Sequence, residues 1–130
     1  MKKGLLLLCI ILCIIGCCSC DKKEEQPENL FPVYYVSKSE TKIEMHPYAL
    51  QEKEGKAQIE ELLRAMATPA AKNEYKAPLT MGFQILDYSL QNGKLLINMD
   101  EKYKELTTIQ EVLVRAAIVR TVTQIEGLDM

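Results

Sequence analysis

The chain has 130 residues, 48% of them apolar, and 16 Lys and Arg stand against 18 Asp and Glu for a net charge of −2. That length fits one small domain, the missing basic excess excludes electrostatic binding of nucleic acid, and the apolar share excludes a disordered chain. With no Trp and an aromatic share of 6%, a base-stacking or carbohydrate platform is disfavoured, although six Tyr are present.

Charge and cysteine are unevenly spread. All five Cys lie at or before position 20, and the first 20 residues hold Lys2 and Lys3 and no acid, which leaves 14 basic against 18 acidic side chains beyond them. Met1-Lys2-Lys3 followed by the apolar tract Leu5–Ile15 has the charged start and greasy centre of an export signal over residues 1–16. The tract from Gly4 to Gly16 is 13 residues long. A helix that crosses the hydrocarbon needs about 20, so a cleaved signal is favoured over a permanent span.

Ile14-Ile15-Gly16-Cys17 then resembles the bacterial lipobox, in which an aliphatic residue, a small or aliphatic one, and Gly or Ala precede the acylated Cys. The resemblance implies a lipoprotein of the palmitate-bearing kind, with a diacylglyceryl group on the Cys17 thiol and cleavage just before it. Cys20, after Ser19, is the alternative acceptor, with Cys17 rather than an aliphatic residue at its −3 position. Read as metal ligands, Cys17-Cys18-Ser19-Cys20 lacks a second Cys/His pair, since the only His is His46. No Cys remains in the domain for a disulfide framework. Acylation would hold the chain on the extracytoplasmic face of the cytoplasmic membrane, because two chains anchor stably where one does not. Residues 17–30 form the lipidated Cys and a tether; DKKEEQPENL from Asp21 to Leu30 is charged, contains Pro27 and has no apolar period, as a flexible linker does.

The domain spans residues 31–130. Phe31 to Lys38 has strand composition, and Thr41 to His46 alternates as a second extended stretch that His46-Pro47 should end. Ile59, Leu62, Leu63 and Met66 recur at helical spacing within Gly55 to Ala67, with Glu60, Glu61 and Arg64 on the other side, and Pro69 to Pro78 reads as a loop. Asn92-Gly93 between Phe83–Leu90 and Lys94–Met99 predicts a tight hairpin, whose Leu95, Ile97 and Met99 make a face for helices. Thr107 or Thr108 should start a second helix, with Thr108 and Glu111 spaced as a capping box. Its predicted buried stripe is Ile109, Val112, Leu113, Ala116, Val119 and Val122, broadened by Ala117 and Ile118, and Gly127 should end it. The fold class is α+β: a small, mostly antiparallel sheet with two helices on one face, in the order β-α-β-β-α. A final strand would be expected after Met130, so the chain reads as C-terminally incomplete.

Three segments carry a resemblance to a known family. Leu90 to Met99 (LQNGKLLINM), Ala116 to Leu128 (AAIVRTVTQIEGL) and Val33-Tyr34-Tyr35-Val36 resemble the GerMN domain of the sporulation and spore germination protein GerM, which occurs in many bacterial lipoproteins. The likeness covers about residues 31–130. It departs at Ala77 to Phe83, a looser fit to the family's loop before the hairpin, and in lacking the family's last strand. It implies a non-enzymatic assembly module on the outer face of the cytoplasmic membrane, associated in spore formers with the complex that links mother cell and forespore. It also implies a fold similar to ring-building motifs of secretion machines. Expected partners are the membrane, through the acyl anchor, and other envelope or sporulation proteins, including the chain itself; nucleic acid is not among them.

The residues themselves assemble no catalytic set. His46 beside Pro47 reads as a solvated loop residue, Glu60-Glu61 as a charged helix face, and Asp100-Glu101 as the start of a turn. There is no Gly-rich phosphate loop and no metal-ligand spacing, so no enzyme, cofactor or metal is expected. Lys72, Lys76, Lys94, Lys102 and Lys104 are read as an ordinary solvated surface rather than a patch for anionic lipid or wall polymer. The alternative function is a monomeric peptidoglycan-binding module that uses the six Tyr as its contact surface.

Overall fold

The computed structural model describes residues 30–128, so the signal, Cys17, Cys20 and the tether up to Asn29 lie outside the described residues, as do Asp129 and Met130. Strand β1 (Leu30–Ser37) already includes Leu30, and it pairs antiparallel with β2 (Ile43–Ala49) from Leu30–Ala49 to Val36–Ile43.

His46-Pro47 does not end the second strand: Pro47 sits inside the ladder, directly opposite Pro32. The Tyr34 N–H explains why this is tolerated. It points away from β2 and donates to Thr121 Oγ1 at 3.0 Å. Positions two apart share that direction, so the nitrogens of Pro32 and Pro47 both lie outside the β1–β2 ladder and neither removes a bond from it. β2 is also an edge strand.

Helix α1 (Gly55–Met66) buries Ile59, Leu62, Leu63 and Met66 as the periodicity requires. Glu61, expected on the solvated side, is buried with them, for a reason given below. The stretch read as loop after Pro69 holds a short strand, β3 (Tyr75–Lys76), paired with β1 at Val36 and Ser37, followed by a single 3-10 turn at Pro78–Thr80.

Strands β4 (Ile85–Gln91) and β5 (Lys94–Met99) form the expected hairpin, with Asn92 at φ 51° and Gly93 at φ 75° as a primed turn needs. They make a separate two-stranded sheet, whereas β2-β1-β3 is the other. β1 has no free edge to offer the hairpin. Beside Val36 and Ser37 that edge is taken by β3, and further down Thr121 accepts the Tyr34 N–H while Gln124 Nε2 donates to the Pro32 carbonyl at 2.9 Å. Leu95, Ile97 and Met99 are accordingly half-buried against the rim of the core rather than covered by helices.

After a 3-10 turn at Glu101–Glu105, helix α2 (Thr108–Val122) starts from a capping box made by Thr107 and Gln110, one residue earlier than the Thr108–Glu111 spacing suggested. Thr107 Oγ1 accepts the Gln110 N–H at 3.2 Å and Gln110 Oε1 accepts the Thr107 N–H at 3.0 Å. The α-helix ends at Val122 rather than at Gly127, which follows a turn closed by Ile125 N–H to the Val122 carbonyl.

The buried face of α2 is also different. Val114, Ala117, Ile118, Thr121 and Val122 point inward, while Ile109, Val112 and Val119 are exposed. The core joins Val33 and Tyr35 of β1, Ile59, Leu62 and Met66 of α1, Val114, Ile118 and Val122 of α2, and Ile125 beyond it. Both helices thus cover one side of the three-stranded sheet, and the α+β class with antiparallel pairing stands.

Candidate interaction surface

Helix α2 is apolar on two sides. Its inner side is spent on the core, and on the outer side Ile109, Val112, Ala116 and Val119 recur at three- and four-residue intervals. Ile109 is 65%, Val112 60% and Val119 44% exposed. A helix hydrophobic all round is ordinarily buried on all sides, and a contiguous exposed stripe marks a contact surface. Charged residues flank the stripe: Arg115 pairs with Glu111 at 3.5 Å, and the Arg120 guanidinium lies 5.1 Å from the Tyr34 ring centre. The sequence pattern alone could not separate the two stripes, because each satisfies helical spacing.

The side chains weighed as chemical groups are used structurally. His46 is no loop residue; it stands in β2 opposite Val33, its ring 4.3 Å from that of Tyr75 and 5.6 Å from that of Tyr35. Tyr35 and Tyr75 lie 4.2 Å apart, and burial, with Tyr75 and Tyr48 nearby, pushes the Tyr35 hydroxyl up to about 12. That phenol stays protonated at any working pH.

Glu60 and Glu61 do not act as a pair. Glu60 accepts the Tyr88 hydroxyl at 2.7 Å. Glu61 turns back under the loop that enters α1 and accepts the Gln51 N–H at 3.0 Å and the Glu52 N–H at 2.8 Å. Burial alone would raise its carboxyl, but these two N–H donors, the Tyr48 hydroxyl and Arg64 hold it below the usual carboxylate range. Its position was illegible because its main partners are backbone groups of a loop.

A third polar knot was also missed in the sequence. Glu40, at φ 55° in the β1–β2 turn, accepts from Lys76 of β3 and from Gln110 Nε2 of α2 at 2.9 Å. Lys76 and Gln110 donate to its carboxylate and lower its pKa. The knot lines a polar cavity of about 280 Å³ together with Asn73, Tyr75 and Thr80. Lys76 is therefore engaged with Glu40, while Lys72, Lys94, Lys102 and Lys104 lie on three further segments. A second, apolar cleft of about 430 Å³ lies between the end of α1 and the start of β4, lined by Leu63, Ala67, Leu79, Phe83, Ile85 and Tyr88. Asp100 starts the 3-10 turn as expected. Among the described residues no three of His, Cys, Asp and Glu come together as metal ligands, and no helix is long and apolar enough to cross a membrane.

A small α+β domain, two helices over an antiparallel sheet with an apolar helix face left uncovered, is the class these observations define. Residues 32–129 match the family described as Germane, sporulation and spore germination, and the chain belongs to that family. The match covers the same span as the GerMN resemblance and makes this a sporulation- and germination-related protein. No curated protein and no solved structure matches the chain.

Proposed function

We propose that this chain is a lipoprotein anchored through Cys17, with Cys20 as the alternative, and that its domain acts outside the cytoplasmic membrane as a non-enzymatic assembly module of sporulation or germination complexes. The observation that carries the assembly reading is the outer stripe of α2. Three large apolar side chains stand 44% to 65% exposed on a helix whose other side is fully packed. Burial of such a stripe against a protein partner, whether a second copy or another envelope protein, is the contact the helix is suited to make.

The peptidoglycan-binding alternative draws less support from the geometry. Tyr35 is buried, Tyr75 stacks on it, Tyr48 and Tyr88 serve Glu61 and Glu60, Tyr103 meets Phe83 edge-on at 5.1 Å, and Tyr34 lies under Arg120. Tyr35 and Tyr75 pack together, but Tyr35 is buried and the other rings are engaged elsewhere, so the six do not form one exposed platform.

The test is chemical cross-linking of the full chain in membranes of the producing cell, with Ile109→Lys and Val112→Lys combined. The parent should cross-link into defined higher species, and the double variant should run as a monomer while unfolding at the parent's temperature, because both sites are exposed. A parent that is monomeric and binds purified peptidoglycan saturably would replace assembly with the wall-binding reading.

A further inference from the structure

The outer face of the β1–β2 sheet carries no charge. Paired residues share a face and alternate along each strand, so Leu30, Pro32, Tyr34 and Val36 of β1, with Ile43, Met45, Pro47 and Ala49 of β2, point away from the helices. An antiparallel sheet with one solvated face ordinarily turns polar side chains to solvent, yet here the outward face of both strands is apolar apart from the Tyr34 hydroxyl. Leu30 is 46% and Met45 55% exposed, Pro47 is exposed, and among these eight only Val36 is fully buried. One cation stands at the border, Arg120, whose guanidinium lies 5.1 Å from the Tyr34 ring centre.

Where the chain enters indicates what covers this face. β1 begins at Leu30, whose side chain opens the patch, and residues 18–29 separate it from Cys17. Those residues reach at most about 40 Å when extended. An acylated Cys17 would therefore hold this face within constant reach of the bilayer, at a high effective concentration. We infer that the Leu30–Tyr34–Met45–Pro47 face rests on the lipid surface to which the chain is anchored, with Tyr34 and Arg120 at headgroup level. Tyr and Arg suit that level because each presents an apolar body and a polar tip. With 14 basic against 18 acidic side chains after position 20, attraction to anionic lipid is not the driving force. Apolar contact is. The inference rests on the lipid-anchor reading above.

The chain has no Trp, so Met45→Trp creates a single fluorescent reporter at an exposed position. The full chain, as the producing cell processes it, is mixed with phosphatidylcholine–phosphatidylglycerol vesicles, with and without brominated acyl chains, and sedimented. Expected is sedimentation with the vesicles and about twofold or greater quenching of Met45→Trp by brominated lipid, with little quenching of Leu96→Trp on the hairpin. Sedimentation with equal quenching of the two reporters, or with none, overturns the docked face and leaves the anchor standing. A Met45→Trp emission that is blue-shifted yet unquenched assigns the face to a second copy and overturns the inference as well. Failure to sediment overturns both the anchor and the face.

Discussion

Thr121 helps close the stretch of β1 that, among the described residues, no strand covers on its β3 side, and its removal gives a sharp test of that role. It is fully buried, its Oγ1 accepts the Tyr34 N–H at 3.0 Å, and the same hydroxyl donates to the Ala117 carbonyl at 2.8 Å. Thr121→Val keeps the shape and removes the acceptor, so the Tyr34 N–H is left without a partner. An unsatisfied buried donor costs about 1–3 kcal/mol. This bond is only part-buried, which places the loss near the lower half of that range. For a domain of this size, each kcal/mol lowers the melting temperature by about 4–8 °C. Thr121→Ser keeps both bonds and deletes one buried methyl, worth about 1 kcal/mol. Thermal unfolding followed by circular dichroism should rank Thr121→Val below Thr121→Ser. Amide exchange should accelerate at Tyr34 in the Val variant alone. Equal stability of the two variants, with Tyr34 exchange unchanged in both, would show that the hydroxyl is not what seals this edge.

Glu61→Gln should destabilise at neutral pH by about 1–3 kcal/mol, because the amide carries no charge to strengthen the bonds from the two loop N–H groups and sets an NH2 donor where Oε1 accepts the Gln51 N–H. The sign follows from its lowered carboxyl: stability from ionised Glu61 is complete above the unfolded-state value of about 4.3 and is lost as pH falls below it toward the folded-state value. Urea titrations at pH 7 and at low pH should therefore show the parent's advantage shrinking with acid, and a constant difference would refute the assignment. Gly93→Ala, at φ 75°, should cost about 1–2 kcal/mol in urea unfolding by forcing a side chain into the left-handed region.

The parts of the fold legible in the sequence are those where one local signal has no competitor. Asn92-Gly93 between two alternating runs admits one turn, and Ile59, Leu62, Leu63 and Met66 make one stripe on a helix otherwise mostly polar. Helix α2 offered two stripes, and what decides between them is a polar residue, Thr121, turned inward to serve a strand 87 positions away. β3 has two residues, too few for any period to show. The separation of the hairpin from β1 was equally hidden, since it follows from side chains of α2 occupying an edge that composition gives to strands. The lipobox at Cys17 is read from sequence pattern alone and lies outside the described residues. For the surface, the apolar residues were visible, but which of them face outward became clear only when the register of α2 and the β1–β2 pairing were known.

The direction of α2 against β1 also bears on how the domain carries load. Gln124, just beyond the end of α2, meets Pro32 near the start of β1, and Gln110, near the start of α2, meets Glu40 beyond the end of β1. Leu30 and the segment after Gln124 therefore leave from one pole, while Glu40, Lys76 and Gln110 bind the other. Tension applied between the two ends of the described chain would peel β1 away pair by pair, starting at Leu30–Ala49. Tension applied between Leu30 and Gln110, at the opposite pole, would instead load β1 lengthwise against its neighbours and strain its cross-strand pairs together. Single-molecule pulling from the two attachment geometries should give a low rupture force in the first and a high one in the second, and equal forces would refute this mechanical asymmetry.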